Sequence, residues 1–305
     1  SFRYTSRRRE QDEGRVVAVS NPAPDRVPPR CEAFGRCGGC SLQHLDPRAQ
    51  VKAKQGVLLD ALRQTGGVEP EELLPPLLNG SPWGYRRKAR LGVRDVQQKG
   101  RVLVGFRERG SSFVAEIKHC PILHPVVGER IEALRRLIES LSVRRQLPQI
   151  EMAMDDRQCI LILRLLEPLN DDDHESLTRF ATANRVIFYV QPGGPETIVP
   201  LDESAELAYQ LPAFDVTLGF EPGDFTQVNT DINRKMVSRA VELLALTSND
   251  KVLDLFCGIG NFTLPIARHA AHVTGVEGDA GLVARARQNA LRNNIQNAEF
   301  FAVDL

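Results

Sequence analysis

The chain has 305 residues, 42% of them hydrophobic, with 39 basic side chains against 39 acidic ones. Such a composition can bury a core across two or three domains, and no run approaches the roughly 18 uninterrupted apolar residues that cross a bilayer. Zero net charge gives no general attraction to nucleic acid, so any such binding must come from local patches. The arginine-rich N-terminus lacks the apolar stretch of a secretory signal, which predicts a cytoplasmic protein and turns its six cysteines toward metal or thiol chemistry rather than disulfides.

In chain order, Arg3 with Arg7-Arg8-Arg9 forms a first basic patch, which suits either a solvated face or phosphate contacts. Arg15 to Val19 reads as a strand, and the proline-studded stretch from Asn21 to Arg30 reads as a stiff linker. A strand that opens a chain needs a neighbour to pair with or an upstream β-domain. Cys31-x5-Cys37-Gly38-Gly39-Cys40 then gathers three thiols in one short loop, with Cys120 in His119-Cys120-Pro121 as a fourth. Four thiolates suit zinc and an iron–sulfur cluster alike, and spacing does not separate the two. The spacing does exclude the tighter Cys-x3-Cys-x2-Cys loop of radical enzymes.

Residues Asp46 to Gly66 show helical spacing through Val51, Leu58, Leu59 and Leu62, and Gly66-Gly67 ends that helix. A second basic patch, Trp83-Gly84-Tyr85-Arg86-Arg87-Lys88-Ala89-Arg90, sets aromatic rings beside guanidinium groups that fit phosphate. Its alternation also suits a half-buried strand with one basic face. From there to Phe220, strand-like runs (Val102 to Phe106, Ile150 to Met154, Cys159 to Leu166, Val186 to Val190, Val216 to Phe220) alternate with helical stretches near Pro125 to Leu141 and Asp173 to Asn184. The pattern predicts a mixed α/β domain.

The last eighty residues predict a β-α-β-α-β unit. Lys251 to Phe256 reads as a strand, Cys257-Gly258-Ile259-Gly260-Asn261 as a tight turn, Thr263 to Ala270 as a helix start, and His272 to Glu277 as a second strand ending in an acid. After a helix carrying Leu282, Val283, Ala286 and Ala290 come a third strand, Glu299 to Val303, and Asp304. Thr263 stands where a dinucleotide fingerprint wants its third glycine, so a ligand without a pyrophosphate fits better. Asp254, the two glycines and Glu277 look like an S-adenosylmethionine turn, with Glu277 placed to accept from ribose hydroxyls.

Taken together, the cysteine loop, Trp83 to Arg90, His119-Cys120-Pro121, Asp224-Phe225-Thr226-Gln227-Val228-Asn229 and Asp254-Leu255-Phe256-Cys257-Gly258-Ile259-Gly260-Asn261-Phe262 resemble the RNA uracil-C5 methyltransferases. Within that family the resemblance is to the iron–sulfur branch that makes 5-methyluridine in 23S ribosomal RNA, and it runs over essentially the whole chain, in order. It implies a four-iron four-sulfur cluster on Cys31, Cys37, Cys40 and Cys120. It also implies S-adenosylmethionine contacts from Gln227, Phe256, Gly258, Gly260, Asn261, Glu277 and Asp304, where the family can carry asparagine. Arg86, Arg87, Lys88, Arg90 and Phe225 become candidate RNA contacts, with Phe225 and Tyr85 able to stack on extruded bases.

The implied organisation is a remnant of a TRAM-type RNA-binding barrel and linker at 1–30, and a central domain at 31–224 with a helical insert near 44–79 that can dock on the catalytic domain. At 225–305 follows the first half of a doubly wound methyltransferase domain, stopping after three strands. The expected partner is 23S ribosomal RNA, with no membrane and no obligate protein partner for an expected monomer. Uracil C5 is a poor nucleophile, so these enzymes add a cysteine thiolate to C6, methylate C5, and then remove the C5 proton with a base. The family's Ser-Cys-Asn-Pro nucleophile segment, its glutamate base and an Asp-Pro cofactor motif do not occur here and are expected after Leu305, which leaves this stretch inactive. A competing reading is a non-catalytic RNA-binding module with a structural four-cysteine zinc site.

Overall fold

The computed structural model describes residues 1–7, 12–78 and 80–304; Arg8 and Arg9 of the first basic patch lie outside the described residues. The chain divides into two compact units, one of residues 1–34 and 40–74, the other of residues 35–39 and 75–305. In the first, β1 (Phe2–Arg7) and β2 (Asp12–Val16) pair antiparallel, and Val17 and Ala18 extend the ribbon by donating to Ser1 O. The strand expected at Arg15 to Val19 therefore sits earlier, where β1 offers it a partner. Helix α1 (Pro47–Ala61) starts at Asp46, whose carboxylate caps Arg48 N, and ends through one wide turn at Gly67 in the left-handed conformation. No α1 side chain is buried.

The second unit begins with a six-stranded sheet in the order β4-β3-β5-β6-β7-β8, formed by β3 (Lys88–Val96), β4 (Arg101–Gly105), β5 (Gln149–Met154), β6 (Cys159–Arg164), β7 (Ile187–Gln191) and β8 (Val199–Pro200). All pairs are antiparallel except β6 with β7, which α4 (Asp171–Asn184) connects as a crossover. Ile160 to Leu163 are buried on both faces of this central strand. A short helix, α2 (Pro125–Gly128), leads into α3 (Ile131–Ser140), which lays Ile131, Leu134 and Ile138 into the core at helical spacing.

Next come an antiparallel hairpin, β9 (Leu207–Leu211) and β10 (Val216–Phe220), and helix α5 (Thr230–Leu244). A parallel three-stranded sheet follows, with β11 (Lys251–Leu255), β12 (His272–Glu277) and β13 (Ala298–Ala302) in that order, linked by α6 (Thr263–Ala267) and α7 (Ala280–Arg292). Because both crossovers step in the same direction, right-handed connections put α6 and α7 on one face. They bury Val273 and Phe300, while Leu253, Leu255 and Phe301 on the opposite face are exposed. Among the described residues the sheet is wound on one side.

Two buried asparagines join α7 to the hairpin. Asn289 Oδ1 accepts from Gly219 N at 2.8 Å while its Nδ2 donates to Gly219 O and to Ile259 O; one turn on, Asn293 makes the same pair of bonds with Thr217 N and O. Side-chain amides thus satisfy the outer edge of β10, which would otherwise be buried unpaired. Replacing Asn289 by alanine leaves an amide and two carbonyls without partners, each worth about 1–3 kcal/mol when buried. Asn289→Ala is expected to lower unfolding free energy in urea by roughly 2–4 kcal/mol; a loss below about 0.5 kcal/mol would remove the asparagine from the structural framework.

Candidate cofactor site

The chain leaves β11 after Leu255 and turns through three residues in left-handed conformation: Phe256 (φ 60°), Gly258 (φ 56°) and Gly260 (φ 95°). At Gly258 a side chain would meet nothing within 4 Å, so the glycine is there for its backbone conformation and borders open space rather than packed protein. Phe256 is a bulky residue in a region such residues avoid, and it is 71% exposed.

Glu277, at the carboxyl end of β12, fastens this turn. Its Oε2 accepts from Gly258 N at 3.1 Å, and Oε1 accepts from Gly278 N at 2.8 Å and Asp279 N at 3.2 Å. A carboxylate offers about four acceptor positions, so these amides leave room on Oε2 for one more donor. Asp254 accepts from Thr263 Oγ1 at 2.6 Å, and burial pushes its carboxyl above the usual carboxylate range against that bond. Asn261 is held in a polar cluster: its Oδ1 accepts from Tyr209 Oη and Asn233 Nδ2, both at 2.9 Å, and its Nδ2 donates to Asn233 Oδ1 at 3.0 Å. Asp304 is exposed just past β13, where Val303 N donates to Glu277 O.

Ahead of α5, Asn229 caps the helix by accepting from Ile232 N, and Gln227 and Phe225 are exposed, Phe225 at 71%. Asp224 beside them is buried; it accepts from Glu221 N at 2.7 Å and pairs with Arg285 of α7. Lys88 from β3 closes the other side, its Nζ donating to Pro222 O at 3.0 Å and to Asp224 O. Of the candidate RNA contacts, Lys88 is thus turned inward onto protein carbonyls. Arg87 pairs with Asp156 at 2.7 Å, Arg90 pairs with Glu151 at 2.8 Å, and Arg86 is half-buried in bridges to Leu123 and Asn229.

None of the six cysteines is joined in a disulfide. Cys31 and Cys40 belong to the first compact unit, Cys37 and Cys120 to the second, where both are buried. Gly39 N donates to Cys37 Sγ at 3.4 Å. Among the described residues no group of three or more His, Cys, Asp or Glu side chains is arranged to hold a metal ion, and no helix is long and apolar enough to cross a membrane.

A sequence profile for the tRNA (Uracil-5-)-methyltransferase family matches residues 208–304. The 23S rRNA (uracil(1939)-C(5))-methyltransferase RlmD of Alkalilimnicola ehrlichii is 54% identical over 304 residues, covering 99% of this chain and 68% of that protein. Its counterpart in Nitrosococcus oceani is 53% identical over 306 residues, with coverage of 100% and 68%. The chain belongs to the RNA uracil-C5 methyltransferase family. Among solved structures, the Pyrococcus abyssi tRNA (uracil-54, C5)-methyltransferase in complex with S-adenosyl-L-homocysteine superposes with a TM-score of 0.69 at 22% identity, covering 99% of this chain and 71% of that one. The α/β methyltransferase fold is shared.

The Tyr209–Asn233–Asn261 cluster and the Asp224–Arg285 pair were not legible in the motifs alone. The signal for the first was Asn233, a buried polar residue at a core position of α5 where helical spacing calls for an apolar one. Neither remaining cysteine is equipped to attack a base. Cys159 is buried, with its thiol pushed up to about 12 by burial. Cys257 is buried too, its thiol turned to Gly258 O and pushed up to about 12 by burial and the nearby carboxylates of Asp254 and Glu277. At pH 8 both are thiols rather than thiolates. Iodoacetamide at pH 8 is therefore expected to leave Cys159 and Cys257 unmodified in the folded chain and to modify both in urea, read by peptide mass; rapid labelling of folded Cys257 would contradict this account.

Proposed function

We propose that the chain holds S-adenosylmethionine at the glycine turn and serves C5-methylation of a uridine in 23S ribosomal RNA in the cytoplasm. The observation that carries the cofactor part is the Glu277–Gly258 junction, in which a carboxylate at the strand end is fixed by three amides beside a turn open to solvent. Ligands of open α/β sheets bind at this edge. Glu277 takes a ribose hydroxyl, the amides around Gly258 and Gly260 line the path of the ligand, Phe256 covers the adenine, and Gln227, Asn261 and Asp304 bound the remaining sides. When bound, S-adenosylmethionine supplies the methyl group. The 23S ribosomal substrate is carried over from relatives about half identical along the whole chain.

We further propose that Cys31, Cys37, Cys40 and Cys120 hold a four-iron four-sulfur cluster of structural role. The donor chemistry suits it: four cysteines outside any disulfide, two of them buried, and an amide already aimed at a sulfur. Four thiolates saturate the cluster and leave no open iron for chemistry. Cys37→Ser is expected to lower iron content and folded yield together in anaerobically purified protein, whereas a colourless protein containing zinc would replace the cluster by a zinc site.

A charge-assisted hydrogen bond is worth about 1.5–3 kcal/mol, so Glu277→Ala is expected to weaken S-adenosylhomocysteine binding by roughly ten- to a hundredfold in calorimetry. Glu277→Gln should weaken it as well, because an amide donor then faces Gly258 N–H or the ligand hydroxyl. An unchanged dissociation constant in both variants takes Glu277 out of the site.

A further inference from the structure

A hollow of about 690 Å³ opens beside β3, lined by Gly38, Gly92, Phe106 and the arginines Arg90, Arg107 and Arg109. Glu108 on the same wall has its carboxylate turned to Arg36 at 3.5 Å, and Arg90 is braced by Glu151 at 2.8 Å. The lining is therefore rich in guanidinium groups, the side chains best matched to phosphate.

The wall that carries these arginines is a small three-stranded ribbon. Its middle strand, 107–109, bonds on one side to the Cys37 segment, with Gly38 N donating to Arg107 O and Arg109 N to Arg36 O, both at 2.8 Å. On the other side Glu108 N donates to Phe113 O and Ala115 N to Phe106 O, again at 2.8 Å. The ribbon lies down on the sheet at Gly92, where a Cβ would come within 2.9 Å of Val114 Cγ2; only a residue without a side chain allows this approach. Next to the ribbon's turn stands Phe113, 72% exposed. Folding gains nothing from an apolar ring left in water, yet the backbone on which it stands is tied at both ends.

We propose that this hollow and Phe113 form an RNA subsite. Arg107 and Arg109 take backbone phosphates, and the ring of Phe113 stacks on an unpaired base of a single-stranded stretch. Sites for single strands combine these two elements, a cationic groove that follows the backbone and an aromatic face for a base. The proposal rests on the reading that the substrate is RNA, and it gives the Cys37 segment a defined role as the edge strand on which the arginine-bearing strand is aligned.

The test is fluorescence anisotropy of the 305-residue chain with a short labelled single-stranded RNA of 23S sequence, titrated at several salt concentrations. Calorimetry with S-adenosylhomocysteine runs in parallel on each variant. In the double variant Arg107→Ala/Arg109→Ala the slope of log affinity against log salt should flatten by about 1.4, two phosphate contacts at roughly 0.7 each. Phe113→Ala should weaken RNA binding by roughly five- to a hundredfold and Phe113→Trp should restore it. S-adenosylhomocysteine binding should not move. Parent-like RNA affinity and salt slope in the variants would overturn the subsite and leave the RNA reading standing. A parent chain without measurable RNA affinity would overturn both, and a fall in both ligands together would overturn the subsite in favour of a general loss of fold.

Discussion

Three charges drawn out of water hold the loop in front of α5. Asp224 is pushed above the usual carboxylate range by burial, and Lys88 is pushed below the usual lysine range by the same cause. Relative to its charged form, a raised aspartate contributes stability that is full below its unfolded value and lost as pH rises through the folded one, and a depressed lysine one that is full above its unfolded value and lost as pH falls through the folded one. The Asp224–Arg285 pair and the Lys88 bonds to Pro222 O and Asp224 O offset part of the desolvation cost of the charged forms. The arrangement is positional. It ties β3 of the large sheet and α7 of the parallel sheet to one short segment, so that Phe225 and Gln227 project from a backbone whose path is fixed on two sides.

The second constraint is the direction of winding. Two right-handed crossovers in the same sense cover one face of the parallel sheet and leave β11 at an edge, and it is from β11 that the glycine turn departs. In open α/β sheets the crevice for a ligand lies where strand order reverses, outside the carboxyl ends. The turn at Phe256 to Asn261 sits at such an end, with Glu277 from the neighbouring strand reaching across to it. Asn289 makes the same turn rigid from behind, since one side chain bonds both the β10 edge and Ile259 O.

Period and punctuation made much of this legible in the sequence. Asp46 and Gly67 bracket α1 as capping chemistry requires, β10 falls on Val216 to Phe220 as its alternation implies, and Asp254 to Glu277 reads directly as strand, glycine turn, helix and strand. Long-range partnership was not legible. Arg87, Lys88 and Arg90 form a basic run on paper, yet each is committed to a group far along the chain, Asp156, the carbonyls at 222 and 224, and Glu151 respectively. A local pattern records charge but not the acid that the fold brings opposite it. The same limit hid α5, whose buried Thr230 and Asn233 break the apolar stripe, and the ribbon at 107–115, whose order comes from Gly92 and the Cys37 segment rather than from its own sequence.

Glu277 shows how closely fold and ligand chemistry share one side chain. Three of its roughly four acceptor positions are taken by the amides of Gly258, Gly278 and Asp279, so a ribose meets a carboxylate whose direction is already set. One hydroxyl can be accepted with the turn undisturbed. Accepting two would require releasing an amide, and the amide on Oε2 is the one that closes the glycine turn. The bond that shapes the site and the bond that recognises the ligand therefore compete for the same oxygen, and any change at Glu277 alters the path of the turn as well as the contact to the sugar.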